Sequence, residues 1–163
     1  MKYLLFFLSL SVFCGCAKHL AIDQSDFNKI PKGSKSVIVT SPLSPDSAYK
    51  FVAKYFIRNG WVVDADKELL QIAPQPKSIG VGTMLKPIVY IEPFESGSKV
   101  HYRAEWGLDQ DGQIMLQAFG GGTNTTAFKP AVFEKRGTTK NDAAFQAIVV
   151  YARRVPGEIS YKP

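Results

Sequence analysis

The stretch Lys99-Val100-His101-Tyr102-Arg103-Ala104-Glu105-Trp106 decides the fold. Successive side chains of an extended chain point to opposite faces. Val100, Tyr102, Ala104 and Trp106 therefore share one face, and His101, Arg103 and Glu105 share the other. An apolar face backed by a charged one describes a strand of an antiparallel sheet, packed on a core on one side and wetted on the other. Upstream, Ile88-Val89-Tyr90-Ile91-Glu92 supplies a partner strand, with Gly97 in the connection. Downstream, Asp111-Gly112 is a hairpin signal that predicts a return strand over residues 114–119.

Further out, Val37-Ile38-Val39 reads as a short strand closed by Ser41-Pro42. Ser44, Pro45 and Asp46 follow in the order N-cap, first-turn proline, first-turn acid, which opens a helix. Ala48, Phe51, Val52, Tyr55 and Phe56 form its apolar stripe, and Asn59-Gly60 stops it. Lys50, Lys54 and Arg58 lie on the opposite face, as a solvated surface or as a basic stripe toward phospholipid or an acidic partner. Trp61-Val62-Val63 and Leu69-Leu70-Gln71-Ile72 flank a charged turn and predict a hairpin. Residues 74–87, rich in Pro and Gly, read as a loose connection. Residues 120–140 lose all periodicity amid Gly120-Gly121-Gly122, five threonines and Lys135-Arg136; a loop of that length is unusual in a compact domain, although Ala131-Val132-Phe133 has the composition of one short strand. A second helix is expected over residues 141–154, with Ala144, Phe145, Ile148, Val149 and Ala152 as its stripe and Pro156-Gly157 beyond.

The expected order is β-α-β-β-β-β-β-α, a single α+β domain over residues 37–163 with a mostly antiparallel sheet and two helices packed on one face. By element order alone it is similar to helix-grip domains, including those of some accessory lipoproteins of the outer-membrane protein assembly machinery. Likeness of topology says little about function. Residues 16–36, polar and rich in lysine, read as a flexible tether in front of that domain.

The N-terminus carries an address. Lys2 precedes an apolar run from Tyr3 to Phe13, followed by Cys14-Gly15-Cys16, in the charged, apolar, small-residue order of a secretory signal. The run is shorter than the roughly 20 residues of a membrane span. Phe13-Cys14-Gly15-Cys16 resembles the lipobox of bacterial lipoproteins, with Phe13 where an aliphatic residue is usual. The resemblance implies a signal peptide over residues 1–15, cleavage before Cys16, and a diacylglycerol thioether on the Cys16 sulfur. Two or more acyl chains hold a protein firmly to a bilayer. Ala17-Lys18-His19, without an acid after the cysteine, implies an outer-membrane location, on the periplasmic face. Both cysteines of the chain are then spent, Cys14 with the leader and Cys16 on the lipid. Among the 20 basic and 14 acidic residues only Lys2 belongs to the leader, so the remainder keeps an excess of +5 (19 against 14), which suits a protein held against anionic headgroups. Nucleic acid is no expected partner in that compartment.

The chemical inventory is sparse. Gly120-Gly121-Gly122-Thr123 and Gly80-Val81-Gly82-Thr83 lack the rest of a phosphate-binding fingerprint. Asp109-Gln110-Asp111-Gly112 has no acid through residue 120 to complete a calcium loop, and Asp64, Asp66 and Glu68 fit a turn. The histidines and cysteines supply no metal set, and no cofactor is expected. His101 with Glu105, flanking Arg103, is the one pair on which a hydrolase or transferase could be built; Glu92, Glu95 and Glu105 are the candidates for a glycosidase-like carboxylate pair. The leading expectation is a membrane-anchored, non-enzymatic binding or assembly-accessory module toward another envelope protein or anionic lipid, with Trp61, Tyr90, Tyr102 and Trp106 as core or contact aromatics. A carrier of a small apolar ligand is the further alternative, and it requires an apolar pocket above about 300 Å³.

Overall fold

The computed structural model describes residues 22–80, 82–118, 127–137 and 139–163. The expected signal peptide, Cys16, Val81, and the run from Gly120 to Thr126 lie outside the described residues. The chain is α+β. In order it forms α1 (Gln24–Lys29), β1 (Ser36–Ser41), α2 (Pro45–Arg58), β2 (Val63–Asp66), β3 (Gln71–Pro74), β4 (Lys77–Ser78), β5 (Thr83–Phe94), β6 (Gly97–Leu108), α3 (Gln110–Ala118), β7 (Lys129–Pro130), α4 (Lys140–Ala152) and β8 (Glu158–Lys162). One antiparallel sheet runs β2-β3-β5-β6-β1-β8, with β4 beside β5 and β7 beside β6.

The hairpin β5–β6 is its spine, in register from Thr83 opposite Leu108 to Phe94 opposite Gly97. The alternation expected around Tyr102 is present: Val100, Tyr102 and Ala104 are buried, as are Leu85, Val89 and Ile91 on β5 and Val37 and Val39 on β1. α2 and α4 pack on this apolar face. The Ser44 hydroxyl accepts from the Ser47 amide at the start of α2, as expected of a cap. Its buried row is Ala48, Tyr49, Val52 and Phe56. Phe51, expected in the stripe, is 40% exposed, because the row i, i+4, i+8 from Ala48 meets the sheet and Phe51 lies beside it. α4 is buried nearly all round.

Pro87 explains why the loose-looking residues 74–87 contain the first part of a long strand. It lies on β5 level with the interruption between β3 and β4, where the missing amide leaves no ladder bond broken.

Three expectations are corrected. Residues 22–36 are not a flexible tether: Ile30 is fully buried, Phe27 meets Phe133 edge-on at 4.8 Å, and Gly33 and Ser34 exchange backbone hydrogen bonds with Phe133. The return strand expected after Asp111-Gly112 is instead α3. The chain also ends in a strand: β8 pairs with β1 through a turn at Gly157, where φ is 146° and a Cβ would strike the Thr40 carbonyl.

Candidate functional site

The outward face of β6 carries His101, Arg103 and Glu105, but it does not join His101 to Glu105. His101 Nε2 lies 2.9 Å from Glu92 Oε1. Its ring stacks on Tyr90 with centroids 4.2 Å apart and planes 9° apart, and Ile38 flanks it on β1. These neighbours leave His101 7% exposed on a face expected to be wet. Arg103 lies over the same tyrosine ring at 5.8 Å. Glu105 accepts from Lys86 Nζ at 2.9 Å. Four residues of strand separate His101 from Glu105, about 13 Å at 3.3 Å per residue. Glu92 stands opposite Lys99, six residues from Glu105, which puts those carboxylates about 20 Å apart, far beyond the spacing of a glycosidase pair. Cross-strand pairing on an open sheet accounts for each of these contacts.

Asp109-Gln110-Asp111-Gly112 proves to be a helix start. Asp109 is the N-cap of α3: one carboxylate oxygen accepts from the Gly112 amide at 2.9 Å and the other from Ser78 Oγ at 2.7 Å. Burial pushes the Asp109 carboxyl upward, but the hydrogen bonds from Ser78 and Gly112 and the charge of Lys140 outweigh it and hold its pKa below the ordinary value. Gly112 is needed for close approach, since a Cβ there would strike the Gly82 carbonyl. In the β2–β3 turn Asp66 is similarly occupied, its Oδ1 accepting from the amides of Glu68 and Leu69. Among the described residues no group of three His, Cys, Asp or Glu side chains is gathered for a metal.

The stretch 131–137, expected as part of a long loop, is fastened by two adjacent residues that the sequence reading does not single out. Asp142 is fully buried. Its two oxygens accept from the four successive amides of Glu134, Lys135, Arg136 and Gly137 at 2.6 to 3.2 Å. Asn141 Oδ1 accepts from Trp106 Nε1 at 2.6 Å and from the Val132 amide at 3.3 Å, while its amide nitrogen donates to Glu134. Thr139 caps α4 by accepting from the Asp142 amide. The signal available in the sequence is a surplus: Thr139, Asn141 and Asp142 are three cap-type residues where one suffices.

A groove of about 330 Å³ opens at the C-terminal ends of α2 and α4. Tyr55, Trp61 and Tyr151 give it aromatic walls, Val150 and Ile79 apolar ones, and Asn59, Ser78, Lys77 and Arg154 polar ones. Trp61 and Tyr151 meet nearly perpendicular at 6.1 Å, and Tyr55 lies 6.0 Å from Tyr151. Lys77 Nζ is held by the carbonyls of Asn59 and Gly60 at 3.0 and 3.3 Å and lies 5.7 Å from the Trp61 centroid. Burial, then the neighbouring Tyr55, push the Tyr151 hydroxyl above the ordinary tyrosine pKa. It is a neutral group throughout the physiological range. Among the described residues no carboxylate lines this groove.

The remaining expected contact residues are dispersed. Tyr102 is core and Trp106 is tied to Asn141. On α2, Lys50 is paired with Asp46 at 2.6 Å, while Lys54 and Arg58 are exposed. No helix among the described residues is long and apolar enough to cross a membrane.

Neither a protein-family model, nor a curated protein, nor a solved structure matches this chain.

Proposed function

We propose that this chain is a lipid-anchored domain of the bacterial envelope that works by binding: Cys16 holds it on the membrane, and the groove at the ends of α2 and α4 receives an anionic group of a partner. The observation that carries the binding role is the composition of that groove. Three aromatic rings and two cations converge on about 330 Å³ with no carboxylate among them. Aromatic and cationic side chains around a concavity provide apolar contact together with orientation of a negative charge. A wholly apolar ligand would cover the charge of Arg154, and that of Lys77, whose two acceptors are neutral carbonyls, with no anion to balance them, so an anion borne on an apolar body fits this groove better than the neutral cargo of a carrier. His101 and Glu105, with their separate partners on the open sheet, support no hydrolase or transferase.

In-cell photocrosslinking tests this reading. A benzophenone side chain at Asn59, on the groove, should give an adduct of defined mass, and the same group at Arg103, on the opposite sheet face, should not. Arg154→Glu should abolish the adduct. Equal labelling at both positions, or an adduct indifferent to Arg154→Glu, contradicts the groove as the binding site.

A further inference from the structure

α3 presents Ile114, Met115 and Leu116 to solvent at 56%, 66% and 37% exposure. Three consecutive apolar side chains left in water are an unusual surface for a monomer. The helix is joined to the rest through its first turn, where Gly112 packs on Gly82 and close to Lys140 Nζ, the side chain of the first residue of α4. The chain emerging from the N-terminus arrives at the same end of α4: Phe27 lies against Gly137, and Ile22 lines one depression with Lys135, Arg136 and Gly137. Ile22 is six steps along the chain from Cys16, a reach of at most about 21 Å for extended chain. A lipid on Cys16 therefore holds the start of α4, and α3 with it, close to the bilayer.

Cations stand exposed at this end: Lys129, Lys135, whose Nζ also donates to the Asn28 carbonyl at 3.2 Å, and Arg136. Of the acids beside them, Glu105 next to Lys129 is engaged by Lys86 and Glu134 by Asn141, while Asp23 and Asp111 are exposed. Arg136 stands 3.9 Å from Glu134.

We propose, resting on the Cys16 anchor of the preceding section, that α3 is a second membrane contact, with Ile114, Met115 and Leu116 entering the headgroup layer of an anionic bilayer and Lys129, Lys135 and Arg136 against its phosphates. Apolar side chains at such an interface sit a few ångströms into the headgroup boundary, and nearby cations add attraction to anionic lipid. The domain then lies on the membrane in one orientation. The tip of the β5–β6 hairpin points away from it: Ser96, exposed in that tip, is twelve residues along the hairpin from the Thr83–Leu108 rung next to α3, about 40 Å.

The test uses the full lipoprotein purified from membranes and reconstituted in vesicles of phosphatidylethanolamine and phosphatidylglycerol. With Cys16 acylated, Met115→Cys and Ser96→Cys each offer one thiol for an environment-sensitive fluorophore. The probe at 115 should emit to the blue and be quenched about twofold by doxyl-labelled lipid, while the probe at 96 stays as in buffer. Ile114→Ser with Leu116→Ser should bring the 115 signal down to that of 96. An unquenched probe at 115 on a protein whose intact mass includes the lipid overturns this inference alone, as does equal quenching at both sites. A protein lacking the lipid mass overturns the anchor on which it rests.

Discussion

Residues 110–118 and residues 131–137 flank the same featureless-looking part of the sequence, and the structure treats them in opposite ways. The second is drawn into the core: Phe133 is fully buried and four successive amides converge on the Asp142 carboxylate. Among the described residues the first is held at its start, by the Asp109 cap and the Gly82–Gly112 contact, and turns its apolar residues outward. Burial of a carboxylate is tolerated only where hydrogen bonds replace its water, so the 131–137 segment is an architectural clamp. α3 contributes little buried surface to the domain, and the apolar residues it keeps are available to something outside it.

That contrast predicts a graded series. Asp142→Ala leaves four amides without their acceptor in a dry site and should lower unfolding free energy by about 3–5 kcal/mol in urea titration; Asp142→Asn keeps one acceptor oxygen but turns its NH2 toward the two amides that bonded the other, and should lose nearly as much. A loss below about 1 kcal/mol would mean that water replaces the carboxylate and that the clamp is ornamental. Phe133→Ala removes a buried ring that meets Phe27 and Phe145 and should cost about 3–4 kcal/mol in the same titration. Asn141→Ala deprives Trp106 Nε1 of its acceptor and should cost about 1–2 kcal/mol, with a change in tryptophan fluorescence.

On the α3 side the effects are smaller and local. Asp109→Ala removes the cap, worth about 1 kcal/mol to the helix, and should speed amide exchange over residues 110–118 while leaving the β5–β6 ladder protected. Acid should do the same to the unmutated chain. The folded-state pKa of Asp109 lies below its ordinary value of 3.8. The cap is therefore at full strength above that pH and fades as the pH falls through the lowered folded-state value. Smallest of all, Ile114→Ser should change global stability by less than about 0.5 kcal/mol; a larger loss would show that α3 is core rather than a contact surface.

The contrast also shows where the sequence was legible. Alternation over residues 99–106, the cap before Pro45 and the stripe of α4 each carry enough turns or rungs to display a period, and they specify the sheet and the two helices on it. α1 and β8 are too short for that. Phe27 and Ile30 are one i, i+3 pair, and Ile159 and Tyr161 one alternation, so only their tertiary partners reveal them. At residues 109–112 the local chemistry supports both outcomes. Asp-Gly suits a hairpin, Asp-x-x-Gly a capped helix, and the close fit of Gly112 against Gly82 favours the helix. The groove was still less accessible, because Tyr55 and Trp61, Lys77, and Tyr151 and Arg154 come from three separate stretches of the chain and share no motif. Of its walls only Trp61 stands out in the sequence as a contact aromatic.

Everything proposed for compartment and orientation depends on the sulfur of Cys16. Intact-mass spectrometry of the protein from the membrane fraction, beside Cys16→Ser, measures it directly. The account predicts a chain beginning at Cys16 and heavier by a diacylglycerol thioether, with the variant unprocessed or released from the membrane. A soluble protein carrying an unmodified Cys16 would contradict it.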